Sequence, residues 1–329
     1  VFGYVIAPDN TANADLQTVE IQAKKPGYRQ LFLTIPDDKR ISLNAWKVFV
    51  GGTISQYRYL PITSYTILGK NIVVQKFVDE DTSVVQQFDI NTITANHPDQ
   101  INRYIVEKKY WLGTDVFGRD ILSRLIIGTR ISLSVGLIAV IISLLLGIIL
   151  GALAGYYRKW VDDIIMWLIN VTWSIPTLLL VFAVTIAMGK GFWQIFIAVG
   201  LTMWVSVARL VRGQVMVIKE LEYVQAAETL GYSNLRIIVR HILPNIWGPL
   251  MVIAAGNFAT AIIIEAGLSF LGIGVQPPAP SWGLMIKENY NFIITHNPLL
   301  ALIPGFAMML LVLAFNLLGN GLRDAVDVK

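Results

Sequence analysis

The chain alternates between two textures of hydrophobic and polar positions. From residue 131 onward, long stretches carry no charge. Between Arg130 and Arg158 there are 27 consecutive uncharged residues, dominated by Leu, Ile, Val, Ala and Gly. At a rise of ~1.5 Å per residue, such a run crosses ~30 Å of hydrocarbon with some to spare. Further uncharged runs lie between Asp163 and Lys190, Lys190 and Arg209, His241 and Glu265, and Glu288 and Arg323. The pattern predicts five spanning helices, at about 131–157, 164–188, 192–208, 246–272 and 298–319, because soluble cores rarely need uncharged runs this long. Residues 1–7, Val-Phe-Gly-Tyr-Val-Ile-Ala, are apolar but too short to span. They read as the tail of a first helix that starts upstream, or else as a core strand of the next domain.

Residues 8–109 have a different pattern. Ile72–Val78 and Ser83–Ile90 are β-branched runs separated by Asp79-Glu80-Asp81-Thr82, a polar linker suited to a hairpin. Leu31–Ile35 and Lys47–Val50 read as two more strands, punctuated by Pro36-Asp37-Asp38 and Gly51-Gly52. The segment is expected to be a small β-rich unit. Its acids are scattered and Ser83 has no nearby histidine, so no catalytic constellation stands out. A docking surface and a passive spacer are the two readings.

Between the third and fourth predicted spans lies the longest polar connection, 219–244. Residues 220–230 favour a helix, and Gly231 suits the left-handed position just past its end. Ser233 can cap a second helix whose apolar positions Leu235, Ile238 and Ile242 recur at spacings of three and four. A helix, a tight Gly turn and another helix form a knob shaped for a groove on a partner, with Ala226 and Ala227 small enough for close approach. A helix pair lying on the lipid surface fits the same spacing.

Charge orients these elements. Residues 8–130 hold 28 charges and residues 131–329 hold 20, most of the latter at predicted helix ends. The connections 158–163, 209–245 and 320–329 carry nine Lys or Arg, whereas 189–191 and 275–297 carry only Lys190 and Lys287. The excess of positive residues on the cytoplasmic side places the first set inside, so residues 8–130 are expected outside and the C-terminus inside. Trp160, Trp193, Trp247 and Trp282 fall near predicted helix ends, where indoles sit between lipid and water. For the whole chain the net charge is +4, with 15% charged residues and 55% hydrophobic. That excludes an ordinary cytosolic enzyme and gives no sign of a nucleic-acid partner. There is no cysteine, and His97, His241 and His296 lack metal-ligand spacing, so neither thiol chemistry nor a metal site is expected.

Three motifs resemble one family. Ala226-Ala227, Gly231 four residues later and Leu243-Pro244 are similar to the "EAA" signature of the membrane subunits of bacterial ATP-binding-cassette importers. Gln225 stands where that signature usually has Glu and His241 where it usually has Ile, although Arg240-His241-Ile242-Leu243-Pro244-Asn245 looks like the peptide and nickel branch. Gly113–Asp120, followed by Ser123-Arg124 and Gly128–Leu133, resembles the segment before the second helix of the C-type permease of dipeptide, oligopeptide and nickel importers. Leu268–Pro278, ending at Ser281-Trp282-Gly283, resembles another stretch of the same subunit. The likeness covers residues 110–329 almost continuously and does not cover residues 10–109, which are much longer than the usual connection between the first and second helices.

The resemblance implies an all-α, MetI-like polytopic permease of the bacterial inner membrane, with domains at 1–7, 8–109 and 110–329. It implies a pathway shared with a second related permease, two cytoplasmic ABC ATPase subunits and an extracytoplasmic substrate-binding protein. Residues 222–243 would be the ATPase-coupling element, with Glu222, Tyr223, Gln225, Ala226, Ala227, Gly231, His241, Leu243 and Pro244 as its site residues. No Gly-x-x-x-x-Gly-Lys-Ser/Thr phosphate loop occurs in these 329 residues, so ATP and Mg belong to the partner subunits and no cofactor is expected here. The candidate pathway or gate residues are Pro176, Glu265 and Ser269. Glu265 either sits near the outer interface or touches substrate. Pro176 removes one backbone hydrogen bond, giving a static kink or a gate hinge. Gly147, Gly151 and Gly155 read as a helix-packing ridge, and Gly118-Arg119-Asp120 as an internal ion pair. A secondary transporter or channel without an ATPase is the alternative, and it is poorly served by so few intramembrane charges. No catalytic motif is present, so an enzyme is not expected.

Overall fold

The computed structural model describes residues 3–37, 45–94, 97–189, 191–294 and 297–326. Val1, Phe2, Asp38, Lys190, His296 and Lys329, on which the sequence pattern drew, lie outside the described residues. Contacts divide the chain into two units, Val1–Arg130 with Pro277–Pro304, and Ile131–Gln276 with Gly305–Lys329. The first division falls at Arg130, where the uncharged runs begin.

The first unit opens with a helical turn, α1 (Gly3–Ile6), and is built on five antiparallel strands. These are β1 (Tyr28–Pro36), β2 (Tyr57–Leu68), β3 (Asn71–Phe77), β4 (Ser83–Asp89) and β5 (Ile105–Tyr110), in the order β4-β3-β2-β1-β5. The expected β3–β4 hairpin is present, its linker closed by bonds from Val78 N and Asp79 N to the Thr82 carbonyl. Leu33, Leu60, Ile62, Ile72 and Val74 form one buried face, covered by Ile90 and Ile93 of α3 (Ile90–Thr94) and by Ile101. On the other face of β1, Phe32 packs with Ile21 and Tyr110.

One expected strand is corrected in this unit. Lys47–Val50 is not a strand but lies in a helix, α2 (Ala45–Gly51), where Trp46 and Phe49, three residues apart, stack 5.8 Å from each other. Strand β2, for which the sequence pattern gave no expectation, carries Pro61 in register with Phe32 of β1 and shifts its register against β3 between Ile62 and Ser64. Residues 113–120 are woven into the sheet unit through Ala23 N to Asp115 O (2.9 Å), Thr18 N to Phe117 O (3.1 Å) and Thr114 N to Lys24 O (3.1 Å).

Arg119 is ion-paired, but not with Asp120. It reaches Asp115 (2.7 Å), Asp15 (3.1 Å) and Glu288 (2.6 Å), and neighbouring Arg124 shares Glu288 at 3.3 Å. Burial disfavours the Arg119 charge, but Asp115 and Glu288 outweigh it and hold its pKa above the ordinary value. Asp120 instead accepts from Ser123 N and Ser123 Oγ. Glu288 sits on α11 (Trp282–Asn289), capped by Ser281, whose hydroxyl accepts from Leu284 N. Trp282 is buried and donates its indole N–H to the Leu125 carbonyl (3.0 Å), so it is a packing residue rather than an interfacial one.

The long apolar helices carry the second unit. Helix α4 (Ile121–Tyr157) begins ten residues before the expected 131 and continues through it. The expected span 164–188 is two helices, α5 (Lys159–Ser174) and α6 (Thr177–Met188), at 96° to each other. The break sits at Ile175-Pro176: Pro176 disfavours helical φ/ψ for the residue before it, and Ile175 is extended. Helix α7 (Phe192–Ile218) runs ten residues past the expected 208, because Arg212 is neutralised bidentately by Asp162 (2.5 and 2.6 Å) and Arg209 lies over the Trp173 ring (3.6 Å). Helix α10 (Trp247–Phe270) and helix α12 (Leu299–Val326) complete the set, joined by the stacked rings of Phe258 and Phe315. Among the described residues, four helical stretches are long and apolar enough to cross a membrane, or five if the bent α5–α6 pair is one span.

The glycine ridge packs as expected. A Cβ on Gly151 would stand 2.5 Å from the Ala208 carbonyl oxygen, and one on Gly155 2.7 Å from that of Arg212. Gly147 faces Val207 and Trp204 in the same way, so every turn of this α4 face lies directly on α7.

Candidate functional site

The connection after α7 folds into α8 (Glu222–Thr229), a turn, and α9 (Asn234–Ile237), which leads through a π-helical turn and a 3₁₀ turn into α10. Glu222 lies in the first turn of α8, where its charge favours the positive end of the helix. The helix stops at Gly231, which has φ +76°. Gly231 N donates to Glu228 O (2.9 Å) and Tyr232 N to Ala227 O (3.1 Å), the paired bonds of a Schellman turn. A residue with a side chain is strained at that φ. Ser233 occupies the N-cap position of α9 with extended backbone, without a side-chain capping bond.

The knob is fixed at its base. Val224 and Ala227 of α8 and Ile237, Ile238 and Ile242 beyond the turn are buried in one cluster with Ala152 and Tyr156 of α4 and Val207, Val211 and Val215 of α7. Ala227 is therefore inward-facing and not a point of partner approach, whereas Ala226 is exposed. The buried stripe runs through Ile237 rather than Leu235, which is 72% exposed, as is Leu230 at the opposite side of the turn.

Polar groups reinforce the base. The Tyr156 hydroxyl lies 3.0 Å from Glu228 Oε1 and 3.1 Å from Asn234 Oδ1, bridging both helices, while Lys219 Nζ donates to the Tyr156 carbonyl (2.9 Å). Asn245 Nδ2 donates to the His241 carbonyl (2.6 Å) and to the Tyr223 hydroxyl (3.1 Å). The His241 ring stacks on Tyr232, with centroids 5.9 Å apart, and Arg236 covers the same tyrosine from 4.2 Å. Gln225 donates to the Glu220 carbonyl from the exposed face, Leu243 packs against the cluster, and Pro244 opens the 3₁₀ turn. The structure thus gathers Glu222, Tyr223, Gln225, Ala226, Ala227, Gly231, His241, Leu243 and Pro244 into one element. Sequence reasoning missed Tyr156 and Lys219; their only signal was a tyrosine pair at the end of a long apolar run and a lysine at the start of the loop.

The pathway candidates are apart from this element in sequence. Pro176 is exposed at the N-terminus of α6. Glu265 is fully buried within the chain and accepts from Ser269 Oγ at 2.6 Å. Ser269 Oγ in turn accepts from Val275 N (3.0 Å), and Gly274 packs directly on the Ser269 backbone, so the two residues tie the end of α10 to the chain that follows. Among the described residues no group of His, Cys, Asp or Glu side chains is arranged to hold a metal ion.

Residues 147–329 match the family described as "Binding-protein-dependent transport system inner membrane component". The chain is 44% identical over 220 residues to the glutathione transport system permease protein GsiD of Pectobacterium atrosepticum, covering 67% of this chain and 73% of that protein. It is 43% identical over 221 residues to the dipeptide transport system permease protein DppC of Alkalihalophilus pseudofirmus, covering 67% and 72%. Among solved structures, an inward-facing form of the MetNI methionine ABC transporter is similar in fold, with a TM-score of 0.51 at 17% identity, over 62% of this chain and 96% of the solved one.

Proposed function

We infer the working of this chain from the family to which it belongs, the inner membrane components of binding-protein-dependent transport systems. It is a multi-pass permease subunit of an ABC importer of the peptide type and not an enzyme. In the mechanism we propose, five crossings leave residues 8–130 outside and the 219–244 connection inside. A second related permease completes the pathway, a binding protein delivers a short peptide or glutathione-like solute, and two ATPase subunits bind and hydrolyse ATP with Mg.

The observation that carries this reading is the construction of the α8–Gly231–α9 element. Its tip presents Leu230 and Leu235 outward, while its base shares one buried cluster with α4 and α7. A force applied at the tip is then transmitted to two long helices without a flexible joint. Closure of the ATPase dimer would bias the equilibrium between pathway states through the different affinity of the ATPase for each.

Leu230→Cys, in a chain that has no other cysteine, is expected to cross-link to the ATPase subunit with a short thiol-to-amine reagent. If no cross-link formed and a fluorophore at the same position were instead quenched by spin-labelled lipid, the element would be lying on the membrane and the coupling role would fail. The substrate class rests on the GsiD and DppC relatives, and ligand identification on the cognate binding protein tests it.

A further inference from the structure

Two short helices of the N-terminal unit meet at one tyrosine. Gly52, just past α2, has φ +84°, and a Cβ there would stand 2.8 Å from Tyr4 Cε1 and 2.9 Å from Ala12 Cα. Thr53 N donates to Asn10 O (2.8 Å) and Ala12 N to Thr53 O (3.0 Å), so the end of α2 is sewn to the segment that leaves α1. The Tyr4 hydroxyl accepts from Asn13 N (3.1 Å). Its ring lies under the Arg130 guanidinium at 4.9 Å, and Gly3 abuts the Arg130 side chain. Arg130 is the last charge before the 27-residue uncharged run of α4. The junction of α1 and α2 therefore packs on the Arg130 side chain, the residue directly before that run.

Beside that junction the two helices expose apolar side chains. Val5 and Ile6 are each 67% exposed, and Trp46 is 69% exposed while stacked on Phe49. Lys47, beside Trp46, is exposed and α2 contains no acid. An indole with a lysine next to it matches the boundary between anionic headgroups and acyl chains, where the ring is half-solvated by lipid and the ammonium meets phosphate.

We propose that α2, with Trp46 foremost, is an interfacial anchor that rests the N-terminal unit on the lipid headgroup region. The bilayer, rather than a protein partner, is the occupant because the packed pair α1 and α2 both expose apolar side chains and the charge next to Trp46 is positive. This rests on the reading that α4 crosses the membrane, which the test examines separately.

Lys47→Cys, carrying an environment-sensitive fluorophore, is followed with the assembled complex in phosphatidylethanolamine–phosphatidylglycerol nanodiscs, with the labelled wild-type complex as background. An anchor ~5–10 Å deep predicts that shallow spin-labelled lipid removes roughly half of the emission while iodide removes little. Adding Trp46→Ser should reverse that preference. Quenching by iodide alone, shielding from both quenchers as under a protein partner, or lipid quenching that survives Trp46→Ser would each overturn the proposal. A label at Leu137→Cys, in the uncharged run of α4, must be reached by deep spin-labelled lipid. Failure there would remove the membrane crossing itself and the anchor with it, whereas success at 137 with failure at 47 rejects the anchor alone.

Discussion

At Gly151 a single methyl group is enough to push a pair of helices apart, because the nearest obstacle is the Ala208 main chain and not a movable side chain. Gly151→Ala is expected to cost about 1–3 kcal/mol of stability, read as a lower midpoint for thermal aggregation of the solubilised complex. Gly213, on the exposed side of α7, has nothing within 4 Å of the place where a methyl group would stand. Gly213→Ala is expected to be neutral or to stabilise by about 0.5–1 kcal/mol, since it only removes unfolded-state freedom. The packing role of Gly151 was legible from the ridge spacing of four residues. Lys108 was not legible in that way. Burial lowers its pKa from 10.5 to about 8, against the opposing pull of Asp9 and Asp120, and its ammonium lies 3.5 Å over the Tyr59 ring. The folded pKa is depressed, so the charged amine weakens the fold fully below pH 8 and the penalty fades as pH rises toward 10.5. Lys108→Met should therefore raise hydrogen-exchange protection of β1 and β5 near neutral pH, corrected for intrinsic rates, with the gain shrinking as pH approaches 10.5.

For whole elements, uncharged runs located every long helix but misplaced one boundary in most of them. The reason is physical. A charge ends an apolar run in the sequence, whereas a helix continues through a charge that finds a partner, as Arg124 does with Glu288 and Arg212 with Asp162. Such partners are distant in sequence, and no local pattern announces them. Proline acted more strongly than a kink: Pro176 turned one expected span into two helices at 96°. Labels at Leu168→Cys and Met188→Cys test this directly by pulsed electron paramagnetic resonance. A straight helix would separate those Cα atoms by about 30 Å, and the right-angle break shortens this to about 20 Å. A distance near the longer value would mean that α5 and α6 straighten in the assembled complex. The β-rich unit was legible where β-branched residues alternate, in β3 and β4. It was not legible in β2, where Pro61 masks a strand held in the middle of the sheet, or in α2, where Val48 and Phe49 look strand-like until Trp46 is seen stacking on Phe49.

On the scale of the whole molecule, the chain divides its labour between a charged sheet unit and a set of apolar helices, and the element proposed to receive force from the ATPase belongs to the helices. The loop motif was readable because it uses small and conformationally special residues at fixed spacing, Gly231 above all. Its anchoring was not, because Tyr156, Val207 and Val211 come from helices far away in sequence. In the proposed mechanism that anchoring lets the tip engage the ATPase and the base move α4 and α7. Gly231→Val forces a β-branched residue to φ +76°, at a cost of about 1–3 kcal/mol that reshapes the turn while leaving the buried base intact. The decisive measurement is solute taken up per ATP hydrolysed by the complete transporter in proteoliposomes. For Gly231→Val the account predicts normal insertion and assembly, continued ATP hydrolysis, and uptake per ATP lower by about tenfold or more. Uptake per ATP equal to that of the wild type would contradict it.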